Sequence, residues 1–208
     1  AGTVAFGSAY HNWATSLPFM AKRNVNFKQI YEFMEKEEKR ELAQAAPLHE
    51  VLLDMIVEKL PSADVAQKYR IPHIWRGESE EEIGQSMVNA NADGDSAFMV
   101  TKVVLDPHAG EIAVGRLFSG SIKKGDQMYV AGMPNANRVQ SVGMFVGGDR
   151  IATETVTAGN IIAVSGLRDA QSGSTISSNK EMTPFERIVH NSDPVVTTAI
   201  EAKHTKDL

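Results

Sequence analysis

The spacing of apolar residues changes once along this chain, near residue 93, and that change limits the folds open to it. Before it, apolar residues recur at helical intervals, as Phe27, Ile30, Tyr31 and Met34 do at i, i+3, i+4 and i+7. After it, short β-prone runs alternate with clusters of turn residues that contain glycine. The sequence therefore predicts an α plus β chain, with a helical part over residues 1–93 and a β part after it.

The helical part carries recognisable start and stop signals. Asn26 with Gln29 three residues later is typical of a capping box, and the sign-alternating run 35–41 is interpreted as the solvated continuation of that helix. Pro47 is predicted to be the first residue of a second helix that ends at Pro61, with a core face formed by Leu48, Val51, Leu52, Met55, Ile56 and Leu60. A third, short helix is predicted to stop at Ile71-Pro72.

The β part has five predicted strands separated by glycine-containing turns, and we assign it to residues 94–182. The predicted strands are Phe98–Leu105, Ile112–Phe118, Met128–Val130, Val139–Phe145 and Ile161–Val164. Regular spacing of short strands with glycine between them predicts a small closed antiparallel β-barrel. Residues 183–208 are expected to be a linker and the start of a third α+β domain, whose first strand would cover 195–200.

Composition and motif content exclude several classes of function. The chain has no cysteine, which excludes thiolate catalysis and cysteine-bound zinc, and its net charge of -5 does not indicate a basic nucleic-acid binder. The histidines are scattered, and no phosphate loop or Gly-x-Ser-x-Gly motif occurs. Without a membrane-length apolar run or a signal-peptide pattern, the expected location is cytoplasmic.

One short segment has a plausible binding mechanism of its own. Gly7, Ser8 and Ala9 follow the apolar run Val4-Ala5-Phe6 and open a loop. Small residues there let the backbone approach a planar ligand, and consecutive N–H groups can donate to a carbonyl oxygen such as guanine O6. From these residues alone, a simple strand-to-loop turn remains the alternative interpretation.

Longer motifs carry a family resemblance. The segment Val4–Ala14 resembles the last nucleotide-binding motif of the archaeal and eukaryotic elongation factor 2 family of translational GTPases, and the run Pro47–Met55 with Ala66–Pro72 resembles the end of that family's GTP-binding domain. Gly115–Gly125 and Gly159–Leu167 are similar to the second-domain barrel of translational GTPases. The segment from Pro194 onward looks like the first strand of the third domain, so the resemblance covers nearly the whole chain in family order.

The resemblance implies an internal fragment of a ribosomal translocase, with residues 1–93 forming the C-terminal part of the P-loop GTPase domain. The full-length factor would use GTP or GDP with magnesium. The phosphate loop, switch residues and catalytic histidine of the family fall outside this chain, so no catalytic residue, metal ligand or bound cofactor is expected in it. By residue, Gly7, Ser8 and Ala9 correspond to the guanine contacts, made through the backbone.

The expected partners are ribosomal RNA and ribosomal proteins, with tRNA and messenger RNA engaged indirectly and no membrane. Lys123, Lys124, Arg138 and Arg116 lie on or beside predicted turns and are candidate phosphate contacts, with an ordinary solvated surface charge as the alternative for each. Two other functions stay open: a relative outside elongation, such as a spliceosomal one acting as a non-enzymatic RNA- or protein-interaction barrel, and a standalone β-barrel with another ligand.

Overall fold

The chain divides into two compact units, Ala1–Ser62 and Ala63–Leu208, which we call unit 1 and unit 2. The structure is a computed structural model, and it describes residues 3–107, 109–188, 195–196, 198–199 and 201–202. Of the strand predicted over 195–200, Thr197 and Ile200 lie outside the described residues, and the described positions 195, 196, 198 and 199 are not in a strand. Each unit is considered by itself.

Unit 1 is a two-stranded antiparallel hairpin with four helices. Strands β1 (Ala5–Ser8) and β2 (Trp13–Ser16) pair from Ala5↔Ser16 to Ser8↔Trp13. They are followed by helices α1 (Leu17–Arg23), α2 (Phe27–Glu35), α3 (Lys39–Ala45) and α4 (Leu48–Lys59). The core consists of buried side chains from β2 and all four helices, namely Ala14, Phe19, Ile30, Leu42, Ala46 and Val51.

The capping box predicted at Asn26 is present and begins helix α2. The backbone N–H of Gln29 donates to Asn26 Oδ1 at 2.9 Å, and the N–H of Asn26 donates to Gln29 Oε1 at 3.0 Å. Both N–H groups would otherwise lack a partner at the helix start.

We expect Asn26→Ala to lower the free energy of unfolding of unit 1 by about 1 kcal/mol, because it removes the acceptor for one of these N–H groups. Urea unfolding followed by the fluorescence of Trp13, in a Trp75→Phe background so that the signal reports unit 1 alone, measures the change. Arg40→Ala, at an exposed position of α3, is the control and should change the free energy by less than about 0.5 kcal/mol. Equal effects of the two substitutions would contradict the capping role.

Two helix predictions for unit 1 are wrong in detail. The run 35–41 is not one helix, because α2 ends at Glu35 and Glu37 has a left-handed φ of 58° before α3 begins. Helix α4 begins at Leu48 with Pro47 as its N-cap, and its predicted core face is only partly buried in unit 1. Val51 is fully buried, whereas Leu52, Ile56 and Leu60 are exposed by 47%, 49% and 65%.

Unit 2 combines two helices with a large antiparallel sheet. Its helices are α5 (Ala63–Ile74) and α6 (Glu82–Val88). Its strands are β3 (Ala97–Asp106), β4 (Gly110–Ser119), β5 (Ser121–Lys123), β6 (Gln127–Val130), β7 (Ala136–Arg138), β8 (Ser141–Val146), β9 (Asp149–Thr153), β10 (Thr155–Thr157), β11 (Ile161–Ser165) and β12 (Thr175–Ser177).

Eight of these strands form one sheet in the order β7-β6-β12-β3-β4-β11-β8-β9, and β5 pairs separately with β10. One apolar core contains side chains from strands near both ends of that order, such as Met128 on β6 and Val142 on β8, and also Ile122 and Val156 from the β5–β10 pair. Within the described residues the pairing order ends at β7 and β9. The coarse prediction of an antiparallel β unit with helices is confirmed, and closure of the sheet into a barrel stays a prediction.

Helices α5 and α6 pack on the sheet through a second core. That core contains Ile71, Trp75 and Met87 from the helical segment, Phe118 from β4, and Phe185. The helix predicted to stop at Ile71-Pro72 instead continues through Pro72 to Ile74. Burial of Ile71 and Trp75, exposed by 0% and 3%, outweighs the hydrogen bond that the proline removes near the helix end.

These contacts place α5 and α6 in the same compact unit as the sheet. The boundary between the compact units, at Ser62, differs from the predicted domain limit at residue 93. A compact unit need not coincide with a domain, so the predicted limits 1–93, 94–182 and 183–208 remain predictions.

Candidate functional site

The predicted guanine contacts lie where strand β1 ends and the turn of the β1–β2 hairpin begins. Gly7 and Ser8 are the last residues of β1, and Ala9 is the first residue of the turn. The Asn12 N–H donates to the Ala9 carbonyl at 3.2 Å, and the His11 N–H donates to Ser8 Oγ at 3.3 Å. These bonds fix a short turn in which Ala9 is exposed and Ser8 is half-buried.

Gly7 has a structural reason of its own to lack a side chain. A Cβ atom at this position would lie 2.4 Å from the Trp13 carbonyl oxygen and 2.8 Å from Ala14 Cα. Such distances are too short for non-bonded atoms, so the hairpin pairing alone requires glycine there. The identity of Gly7 is therefore no independent support for a ligand, and the guanine assignment of the three residues stays a prediction.

The lysine doublet lies at the tight turn between β5 and β6. Lys123 ends β5, and its backbone N–H donates to the Asp126 carboxylate at 2.9 Å. Gly125 has a φ of 96°, which favours glycine, and its N–H donates to the Val139 carbonyl at 2.9 Å. The turn is thus fixed by its backbone, and both lysine side chains are exposed.

Arg138 lies beside this turn. It is the last residue of β7, and its Nη2 is 3.8 Å from the position that a Cβ atom on Gly125 would take. No ion pair is found for Lys123, Lys124 or Arg138 among the described residues. The fold therefore gathers three of the four basic residues named from the sequence at one place, with their charges available to an anion.

Arg116 is placed differently from what its motif suggested. It lies within β4, paired with Ile161 of β11 and Met99 of β3, rather than at a turn, and it is half-buried. Burial, and secondarily the nearby Arg70 cation of α5, lower the pKa of the Arg116 guanidinium below its ordinary value. No contact in the described structure joins it to the lysine turn.

A fifth basic residue, Arg168, was missed by sequence reasoning. It lines the same surface groove as Arg138, and its backbone N–H donates to the Asn137 side chain at 3.1 Å. The two arginines are far apart in the sequence, and no periodic signal connects them. Only the pairing of the strands brings the segments 133–138 and 166–169 together.

Metal and membrane sites find no support in the described ranges. There, no group of three or more histidine or acidic side chains is arranged to hold a metal ion. None of the described helices has the length and apolar character required to cross a bilayer.

Comparison with known proteins gives consistent relationships for both units. The family model for elongation factor Tu domain 2 matches residues 110–177, which contain β4 to β12. Elongation factor 2 of Methanosarcina thermophila and that of Picrophilus torridus are each 54% identical over 208 residues, which is 100% of this chain and 28% of theirs. Elongation factor 2 of Methanocaldococcus jannaschii is 50% identical over the same residues, 29% of its length.

The match is continuous through both units, and the resemblance stated from the sequence motifs is confirmed. The chain spans little more than a quarter of the length of these relatives. Along all 208 of its own residues, the chain therefore corresponds to a segment of the elongation factor 2 family.

Proposed function

We propose that this chain is the portion of a GTP-dependent ribosomal translocase that holds one edge of the guanine pocket and a ribosome-docking barrel. The observation that carries the proposal is identity of 54% along the whole chain to proteins named elongation factor 2. The complete factor promotes movement of tRNA and messenger RNA in the cytoplasm. Phosphate, magnesium and catalytic groups belong to the rest of the factor, so this chain binds GTP or GDP only as part of it.

Each predicted domain has its own role in this proposal. Residues 1–93 complete the GTP-binding domain, where backbone N–H groups of Gly7, Ser8 and Ala9 face the guanine. Residues 94–182 form the closed barrel, an assignment supported by the apolar core that strands near both ends of the sheet order share. Residues 183–208 lead into the third domain.

Docking would use the exposed cations at the β5–β6 turn. Lys123, Lys124 and Arg138 lie together, and backbone hydrogen bonds hold the turn that carries the lysines. Pre-formed cationic turns suit the phosphates of folded RNA, where contacts position a protein without reading sequence. Arg116, half-buried in β4, is a weaker candidate for the same role.

The chain should compete with a complete elongation factor 2 for archaeal ribosomes. Added in excess, it is expected to slow ribosome-dependent GTP hydrolysis by the complete factor, while the chain alone hydrolyses no GTP. The inhibition should weaken as salt rises, because phosphate contacts release counterions. The double variant Lys123→Gln/Lys124→Gln is expected to inhibit at least about fivefold less strongly.

The matched control is Lys36→Gln/Lys39→Gln, which removes the same charge from exposed positions of unit 1. This control should inhibit as the unaltered chain does. GTP hydrolysis by the purified chain would contradict the proposal, as would an absence of competition at low salt. Equal inhibition by the two double variants would contradict the assigned docking residues.

A further inference from the structure

A groove on unit 2 lies between the segments 133–138 and 166–169. Its volume is about 370 Å³, near the lower end of the roughly 300–1,000 Å³ range of small-ligand pockets. That size suits one nucleotide and is too small for a duplex. We call it the 133–169 groove.

The walls of the groove are fixed by backbone contacts. Gly166 has a φ of 94°, and a Cβ atom there would lie 2.5 Å from the Arg138 carbonyl oxygen. The Gln140 N–H donates to the Ser165 carbonyl at 2.9 Å, and the Arg168 N–H donates to Asn137 Oδ1 at 3.1 Å. The two segments are therefore held at a set separation before any ligand binds, which lowers the entropy cost of binding.

The charge of the groove favours an anion. Arg138 and Arg168 both line it, and neither forms an ion pair with any described residue. Asp169 is the one carboxylate among the described lining residues. Two guanidinium groups with free donors match the oxygen geometry of a phosphate.

The rest of the lining suits a base. Met133, exposed by 44%, and Pro134 give an apolar wall, and the amide of Asn135 lies next to them in the same lining. A nucleotide presents a flat apolar face, polar edges and a phosphate within one unit. The groove offers a partner for each of these.

We propose that the 133–169 groove binds one unpaired nucleotide of a single-stranded RNA segment, with its phosphate on Arg138 and Arg168 and its base against Met133 and Pro134. This inference rests on the proposed docking of the chain on ribosomal RNA and specifies an RNA feature that it recognises. RNA is favoured over an acidic peptide because Arg138 adjoins the Lys123–Gly125 turn, which extends a path for consecutive phosphates.

The test is fluorescence anisotropy of the whole chain with a short labelled single-stranded RNA and with a blunt duplex of the same sequence, over a salt series. Single-stranded RNA should bind at least about fivefold more tightly than the duplex. Arg138→Gln and Arg168→Gln should each weaken that binding by at least about fivefold and reduce the salt slope by about 0.7. Met133→Ala should weaken it by at least about twofold without changing the salt slope.

Arg40→Gln, which removes the same charge from unit 1, is the matched control and should leave the affinity unchanged. Equal binding of duplex and single strand would overturn the inference, as would full affinity in Arg168→Gln, or displacement of the RNA by a short poly-glutamate peptide at equal concentration. Ribosome competition is measured separately. If the chain competes for ribosomes but fails these tests, the docking proposal stands and the groove assignment falls.

Discussion

Gly115→Ala is expected to destabilise unit 2 by about 3 kcal/mol or more, because β4 has no space for a methyl group at this position. A Cβ atom on Gly115 would lie 1.9 Å from the Met99 carbonyl oxygen and 2.9 Å from Val100 Cα. Both atoms belong to the backbone of β3, which pairs with β4 at the centre of the sheet. The clash cannot be relieved by rotating a side chain, so the two central strands must separate locally.

Urea unfolding followed by the fluorescence of Trp75 measures this effect, in a Trp13→Phe background so that the signal reports unit 2 alone. The matched control is Gly148→Ala in the β8–β9 turn, where no atom lies within 4 Å of the added methyl group. Its unfolding free energy should stay within about 0.5 kcal/mol of the parent chain. A Gly115→Ala chain as stable as this control would mean that β3 and β4 are not paired in the register described.

Some strands of unit 2 could be predicted from the sequence pattern and others could not. The five predicted strands correspond to β3, β4, β6, β8 and β11. Five strands of unit 2 were not predicted: β5, β7, β10 and β12, with three residues each, and β9, with five. These short runs give little alternation signal, and β9 begins with the charged residues Asp149 and Arg150, so pairing with a neighbouring strand decides that they form strands.

Local helix rules failed where packing opposed them. Pro72 predicted a helix end, yet the buried neighbours Ile71 and Trp75 need the helical path to reach the second core of unit 2. The run 35–41 favoured one continuous helix through its alternating charges, but Glu37 adopts a left-handed conformation there. Ion pairs on an exposed face contribute only a few tenths of a kcal/mol each, which is too little to decide a helix boundary.

Lys123, Lys124 and Arg138 were named from the sequence, whereas their arrangement and the fifth basic residue, Arg168, were not. The lysine doublet before Gly125 was visible as a basic turn, because glycine and the flanking β-prone runs predict a turn there. The proximity of Arg138 to Arg168 depends on Gly166 and on strand pairing, which no local pattern encodes. Arg116 was named with the residues on or beside predicted turns although it falls inside the predicted strand Ile112–Phe118, and it lies within β4.

Gln67→Glu should destabilise unit 2 by about 3 kcal/mol or more at neutral pH, and the loss should depend on pH. Gln67 lies on α5 with no solvent exposure. Its side-chain amide donates to the Met87 carbonyl at the end of α6 and, at 2.9 Å, to the Phe118 carbonyl on β4. A carboxylate has no proton to donate, so it would be buried facing two carbonyl oxygens.

The direction of the pH effect follows from that environment. Burial and the two carbonyls disfavour the charged form, so the pKa of the introduced carboxyl group in the folded Gln67→Glu chain must lie above its unfolded value of about 4.3. A raised pKa means that the folded state binds the proton more tightly than the unfolded state does. The variant is therefore closest to the parent below about pH 4, where a protonated carboxyl can still donate one hydrogen bond, and it loses stability as pH rises towards the folded pKa.

Between those two pKa values the stability difference should grow by up to about 1.4 kcal/mol per pH unit. Urea unfolding in the same Trp13→Phe background, repeated from acid to neutral pH, measures this slope. Gln85→Glu is the matched control, because Gln85 also donates to a carbonyl, that of Ser79 at 2.8 Å, but from an exposed position on α6. Water solvates the control carboxylate, so its pH dependence should be slight. A Gln67→Glu slope as flat as that of the control would mean that water reaches the Gln67 site and that α5 is not sealed against the sheet there.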